Sequence, residues 1–155
     1  LVTDTYNLTI IPKSSKAFWI KGLEIMGKEE LELGSKFTPK FDENGLIPVI
    51  AQHFETREVL MLAYMNEEAL KKTIETKQAH YYSRSRKSLW LKGETSGQIQ
   101  SVKAIKTDCD QDVVLLLVEV GGDGGCCHVG FANCFYRELD DNAALVINGK
   151  KPQEK

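Results

Sequence analysis

The chain of 155 residues is 42% apolar and 27% charged, with a net charge of −2 and a pI near 6.0. That length holds one domain with a real core, and that charge excludes a module held to nucleic acid by general phosphate attraction, though not a small basic pocket. The longest apolar run, VVLLLV at 113–118, is strand-sized and too short to span a membrane.

The opening residues, LVTDTYNLTI, lack the basic start and apolar centre of a signal peptide, so a cytoplasmic location is expected. In a reducing cytosol the four cysteines are then available for metal ligation, catalysis or burial rather than disulfides. Residues 1–38 show no sustained period and read as an N-terminal extension with room for a strand or a helix. A domain over 39–140 and a C-terminal tail over 141–155 follow.

From Phe41 the punctuation sharpens. DENG at 42–45 is a turn, and LIPVIAQHF reads as a strand in which Pro48 suits an edge or a first position. ETRE turns into a second strand, VLMLAYM. Asn66 is a good helix N-cap, Glu67 and Glu68 suit the positive end of the helix dipole, and Ala69, Leu70, Thr73 and Ile74 form one face, so a helix is expected over 66–77. AHYYSRS, SLWLKG, QIQSVKAIK, DVVLLLVEV and HVGFANCFYREL are each strand-sized and separated by polar or glycine-rich turns. One short helix among many strands predicts an α+β fold, chiefly antiparallel. VVLLLV lacks alternation, so both its faces should be covered, by the helix, a second sheet or another subunit.

Three stretches carry chemistry. In TDCDQD, Asp108, Asp110 and Asp112 approach an EF-hand pattern, but Val113 stands where its glycine must be and an apolar strand follows, which excludes that loop. On an extended segment the three aspartates would share one face and Cys109 would take the other. Oxygen ligands for a hard cation such as Mg²⁺ and a solvated acidic turn both fit that spacing.

In GGDGGCCHVGFANC, Cys127 and Cys134 lie seven apart, with Cys109 upstream. Three thiolates and an open fourth position suit a catalytic zinc ion, while the absence of paired C-x₂-C knuckles leaves buried, inert cysteines as the alternative. Cys126 and His128 flank Cys127, and neighbours in sequence seldom both reach one tetrahedral ion; His128 is a candidate acid–base group. In YYSRSRKSLWLKGETSG, Arg84, Arg86 and Lys92 supply positive charge, and Thr95 and Ser96 supply hydroxyls beside Gly93 and Gly97. This suits the phosphates of a small anionic substrate or, equally, a basic strand edge; it is not a P-loop.

Together, LIPVIAQ, EVLMLAYMNEEAL, YYSRSRKSLWLKGETSG, DCDQD, CCHVG and NCFYRE stand in the order found in phosphoribosyl-AMP cyclohydrolases of histidine biosynthesis, and the chain resembles that family from about Phe41 to Arg137, nearly two thirds of its length. The resemblance implies hydrolysis of the N1–C6 bond of the adenine ring of a small nucleotide, phosphoribosyl-AMP. It implies Zn²⁺ on Cys109, Cys127 and Cys134, Mg²⁺ on Asp108, Asp110 and Asp112, and an intertwined homodimer whose subunits share thiolate ligands. The charge and the apolar run lengths noted above lead to the expectation of no nucleic-acid or membrane partner. Cys126 departs from the alanine common at that position, the GGDGG loop is slightly long, and residues 1–38 exceed the usual N-terminus; none of these removes a ligand.

Three thiolates give zinc a net charge of about −1, which acidifies water weakly, so a base is expected and His128 is the candidate. A zinc-dependent nucleobase or nucleoside deaminase is the nearest rival, but its H-x-E…P-C-x-x-C pattern is missing. A structural-zinc interaction domain is the non-enzymatic rival, and it predicts that chelation unfolds the chain.

Overall fold

The structure is a computed structural model that describes residues 27–152, and its chain divides into two units, Leu1–Thr38 and Pro39–Lys155. The expected extension therefore lies outside the described residues as far as residue 26. In the first unit, α1 (Lys28–Leu33) is a short helix that buries none of its residues, and a Lys28–Glu32 pair at 3.7 Å spans one turn of it. Such an exposed pair contributes little, about 0.3–0.5 kcal/mol.

The second unit is built on a four-stranded sheet in the order β2-β1-β6-β5, comprising β1 (Ile47–His53), β2 (Val59–Met65), β5 (Gln100–Thr107) and β6 (Val114–Val120). β1 runs antiparallel to β2 and parallel to β6, and β6 runs antiparallel to β5. Strand β1 is therefore internal, not an edge. Pro48 is tolerated because it lies ahead of the stretch Val49–His53 that pairs with β6, so no ladder there needs its missing N–H.

One face of the sheet is the core. Ile47, Val49 and Ala51 of β1, Met61 and Met65 of β2, and Val114, Leu116 and Val118 of β6 are buried beneath α2 (Glu67–Thr76) and the hairpin of β3 (His80–Ser83) and β4 (Ser88–Leu91). Helix α2 follows the expected signals. Asn66 Oδ1 accepts from the Ala69 N–H at 2.9 Å, and Ala69, Leu70 and Thr73 are its buried residues. The hairpin is laced to β5 by Ala79 N–H donating to Gln100 O at 3.0 Å and Val102 N–H to Lys77 O at 2.8 Å.

The other face is apolar but poorly covered. Pairing places Leu62, Ile50 and Leu115 side by side on three strands, and Leu62 is 50% exposed. Leu117 is buried, so the expectation that VVLLLV is shielded on both sides holds for part of its length. Among the described residues no helix is long and apolar enough to cross a membrane.

HVGFANCFYREL is not a strand over most of its length. Turns and bends fill 128–136, and only β7 (Arg137–Leu139) is extended, paired with β8 (Leu145–Ile147). Gly130 is the reason: at φ 91° it closes a turn whose N–H returns to Cys127 O at 2.9 Å, which a β-branched residue would resist.

Candidate active site

The basic segment and the cysteine loop meet. A pocket of about 370 Å³ is lined on one side by Arg86, Trp90, Lys92, Thr95 and Ser96 and on the other by Cys126, His128 and Cys134, with Met61 among its apolar contacts. That volume is in the range of small-molecule sites. The first wall is shaped by Gly93, at φ 86°, where a Cβ would lie 2.2 Å from the Gln98 carbonyl carbon, so only glycine lets 93–98 fold this tightly. Arg86 is steadied by Ser83, whose Oγ accepts from its Nε at 3.2 Å. Lys92 is buried, and among the described residues it has no carboxylate partner.

The second wall is a folded loop. The Cys126 and Cys127 N–H groups both donate to Phe131 O, at 3.2 and 3.0 Å, and the Cys134 N–H donates to Leu60 O at 2.7 Å, tying the loop to β2. Asn133 clamps the same point: its amide donates to Glu58 Oε1 at 2.5 Å and its oxygen accepts from the Phe135 N–H at 2.7 Å. The Cys134 sulfur is within hydrogen-bonding reach of both Cys126 and Cys127. Hydrogen bonding with Cys126, then burial, pushes the Cys134 thiol far up, while the same bond favours the Cys126 thiolate. Cys127 and Cys134, soft donors that approach each other, fit a zinc ion, which would supply the positive charge that two thiolates need.

The aspartates converge as expected, but not by strand alternation. β5 ends at Thr107, and residues 108–111 turn, with Gln111 at φ 61° and its N–H 3.3 Å from Asp108 O. Asp108 Oδ1 then accepts from the N–H groups of Asp112 at 3.1 Å and Val113 at 3.2 Å. Carboxylate oxygens of Asp108, Asp110 and Asp112 lie within 4.8 Å of one another. Desolvation, then Asp108 and the Asp110 charge, raise Asp112; Asp108 is held low, against its own desolvation, chiefly by the Val113 N–H. Lys40, 3.9 Å from Asp110, offsets part of this charge. Three crowded oxygens with residual repulsion fit Mg²⁺.

Similarity to known proteins runs through both sites. A family model described as phosphoribosyl-AMP cyclohydrolase matches residues 61–136. Over 119 residues the chain is 60% identical to the phosphoribosyl-AMP cyclohydrolase of Caulobacter sp. (strain K31), covering 77% of this chain and 88% of that protein. The chain belongs to the phosphoribosyl-AMP cyclohydrolase family. The cyclohydrolase of Caulobacter vibrioides (strain NA1000 / CB15N) is 58% identical over 77% of this chain and 85% of its own. That of Chelativorans sp. (strain BNC1) is 55% identical over 79% and 90%. A member of this family is a hydrolase acting on a cyclic carbon–nitrogen bond.

For a cyclohydrolase, a single chain brings together Arg86, Lys92, Thr95, Ser96, His128 and Cys134, with Cys127 beside them. Arg84 stays outside: its guanidinium lies 4.0 Å over the Tyr64 ring. Cys109 and the aspartates stand apart as well. They precede β6, whereas the cysteine loop follows it, so the seven-residue strand separates them by roughly 20 Å. Sequence reasoning missed Trp90 and Met61 as pocket walls, because both read as ordinary strand residues. The Glu58–Asn133 clamp joins residues 75 apart and left no local signal.

Proposed function

We propose that the chain is a zinc-dependent phosphoribosyl-AMP cyclohydrolase acting in histidine biosynthesis, with active sites shared between two copies. The observation that carries this reading is the single pocket lined by both the basic 86–96 segment and the Cys126–Cys134 loop. Water adds to C6 of the adenine ring, the N1–C6 bond breaks, N1 takes a proton, and C6 becomes a carboxamide that keeps its exocyclic nitrogen.

In this account Trp90 and Met61 offer apolar surface to the base, and Arg86 and Lys92 bind phosphate with the hydroxyls of Thr95 and Ser96. The exposed His128 imidazole takes the proton of the attacking water and returns it to N1. Zinc on Cys127 and Cys134, with Cys109 of a second copy, supplies the Lewis acidity that makes water nucleophilic at neutral pH. Mg²⁺ on Asp108, Asp110 and Asp112 supplies charge for a phosphate.

Two features support sharing. Cys109 lies at the opposite end of β6 from the other sulfurs. The half-covered row Leu62, Ile50 and Leu115 is the apolar face that a second copy would bury. The direct test is incubation of zinc-loaded protein with phosphoribosyl-AMP. Formation of the ring-opened carboxamide without ammonia, lost on chelation while the chain stays folded, is expected. Ammonia release would indicate a deaminase, and unfolding on chelation would indicate a structural metal.

A further inference from the structure

We infer that Arg84 binds a phosphate of the nucleotide held in the pocket of a second copy, entering that site together with Cys109; the inference rests on the sharing of sites proposed above. Arg84 and Arg86 leave the turn between β3 and β4 toward different targets. Arg86 lines the pocket of its own chain, with its guanidinium 5.8 Å from the centre of the Trp90 ring. Arg84 is not among the walls of that pocket and reaches the Tyr64 ring of β2 instead, 4.0 Å from its centre. It is exposed, and among the described residues it has no carboxylate partner. A guanidinium laid on an aromatic face is held in place while its edge N–H groups stay available for a two-pronged bond to phosphate oxygens.

Strand register fixes where that cation stands. Tyr64 pairs with Pro48, and the next residue of β1, Val49, stands opposite Val114, which opens β6. The acidic turn and Cys109 lie just ahead of Val114. Tyr64 and Cys109 therefore share one end of the sheet, with only β1 between β2 and β6, a lateral step of roughly 10 Å. The cysteine loop is at the other end, where the Cys134 N–H is bound to Leu60 O near the start of β2. Tyr64 also faces outward. Ile47 and Val49 point into the core, so Pro48 and its partner Tyr64 take the opposite face, with Leu62. That is the face a second copy would bury. A dimer that brings Cys109 to the cysteine loop of its partner carries Arg84 toward the same pocket.

The substrate calls for such a group. Phosphoribosyl-AMP bears two phosphates, one on each of two ribosyl groups attached to opposite sides of the base. Arg86 and Lys92, with Thr95 and Ser96, form one cationic wall. Arg84 supplies the second from across the dimer.

Kinetics and mixed dimers test this. Arg84→Ala should raise KM for phosphoribosyl-AMP roughly 10–100-fold and change kcat much less, because the lost contact is remote from C6, and Arg84→Lys should recover part of the loss. Joined to a Cys127→Ser chain, an Arg84→Ala chain keeps its own cysteine loop and receives an intact Arg84 from its partner, so about half of the kcat/KM of the unsubstituted dimer should return. Joined to a Cys109→Ser chain, the only site with all three sulfurs lacks its arginine, and KM should stay high. The reverse pattern would put Arg84 to work in its own pocket and overturn the inference, as would an unchanged KM in Arg84→Ala. Inactive heterodimers of Cys109→Ser with Cys127→Ser reject sharing itself and this inference with it. Activity in that pair together with the reverse pattern rejects the role of Arg84 alone.

Discussion

Asn133 illustrates how one side chain positions chemistry it does not perform. Its amide joins the Glu58 carboxylate and its oxygen receives the Phe135 N–H, so the backbone on both sides of Cys134 is fixed to the start of β2. Asn133→Ala leaves that N–H without its acceptor and should cost about 1–3 kcal/mol in urea unfolding, with weaker zinc binding. An unchanged midpoint and affinity would remove the clamp from the account. His128 lines the pocket. His128→Asn with zinc retained should lower turnover roughly 10²–10⁴-fold and flatten the pH–rate profile. Equal turnover and profile would eliminate its proton-transfer role. Little of this was legible beforehand. His128 announced itself by standing beside Cys127, whereas Glu58 and Asn133 look like ordinary turn residues until the chain brings them together.

At the scale of elements, helix α2 and the strands β1 to β6 follow from cap, period and punctuation, and Asn66 performs the capping its position implied. Two segments do not follow. TDCDQD alternates like a strand yet turns, because Asp108 captures the N–H groups of Asp112 and Val113 that a ladder would otherwise use. The 128–136 stretch is apolar enough for a strand yet folds into turns around Gly130. The glycine-rich loop before it is held by Asp123, whose Oδ1 accepts from the Gly125 N–H and from Gln98 Nε2, both at 2.8 Å. The Gly125 N–H, then Gln98, lower the carboxyl below its usual value. A depressed folded value stabilises above the unfolded value, near 3.9, and that stabilisation disappears as pH falls through the folded one. Asp123→Asn should therefore lower the urea midpoint at pH 7, and the gap to the unsubstituted protein should close in acid. A gap independent of pH would show that the charge is not what holds the loop.

At the scale of the whole molecule, the α+β class was readable from one good helix among many short strands. The sheet order was not. β1 and β6 are parallel neighbours although everything from β2 to β5 intervenes, and no local pattern encodes a pairing of that range. That pairing sets the functional geometry: the acidic turn enters β6 and the cysteine loop leaves it, so a single chain holds the two sets of ligands at opposite ends of one strand. Complementation between subunits tests this most directly. Cys109→Ser and Cys127→Ser chains, each inactive alone, are mixed, and the heterodimers are isolated and assayed for ring opening. Sharing leaves one intact ligand set per heterodimer, so about half of the activity of an unsubstituted dimer should return. Demonstrated heterodimers with no activity would contradict the account.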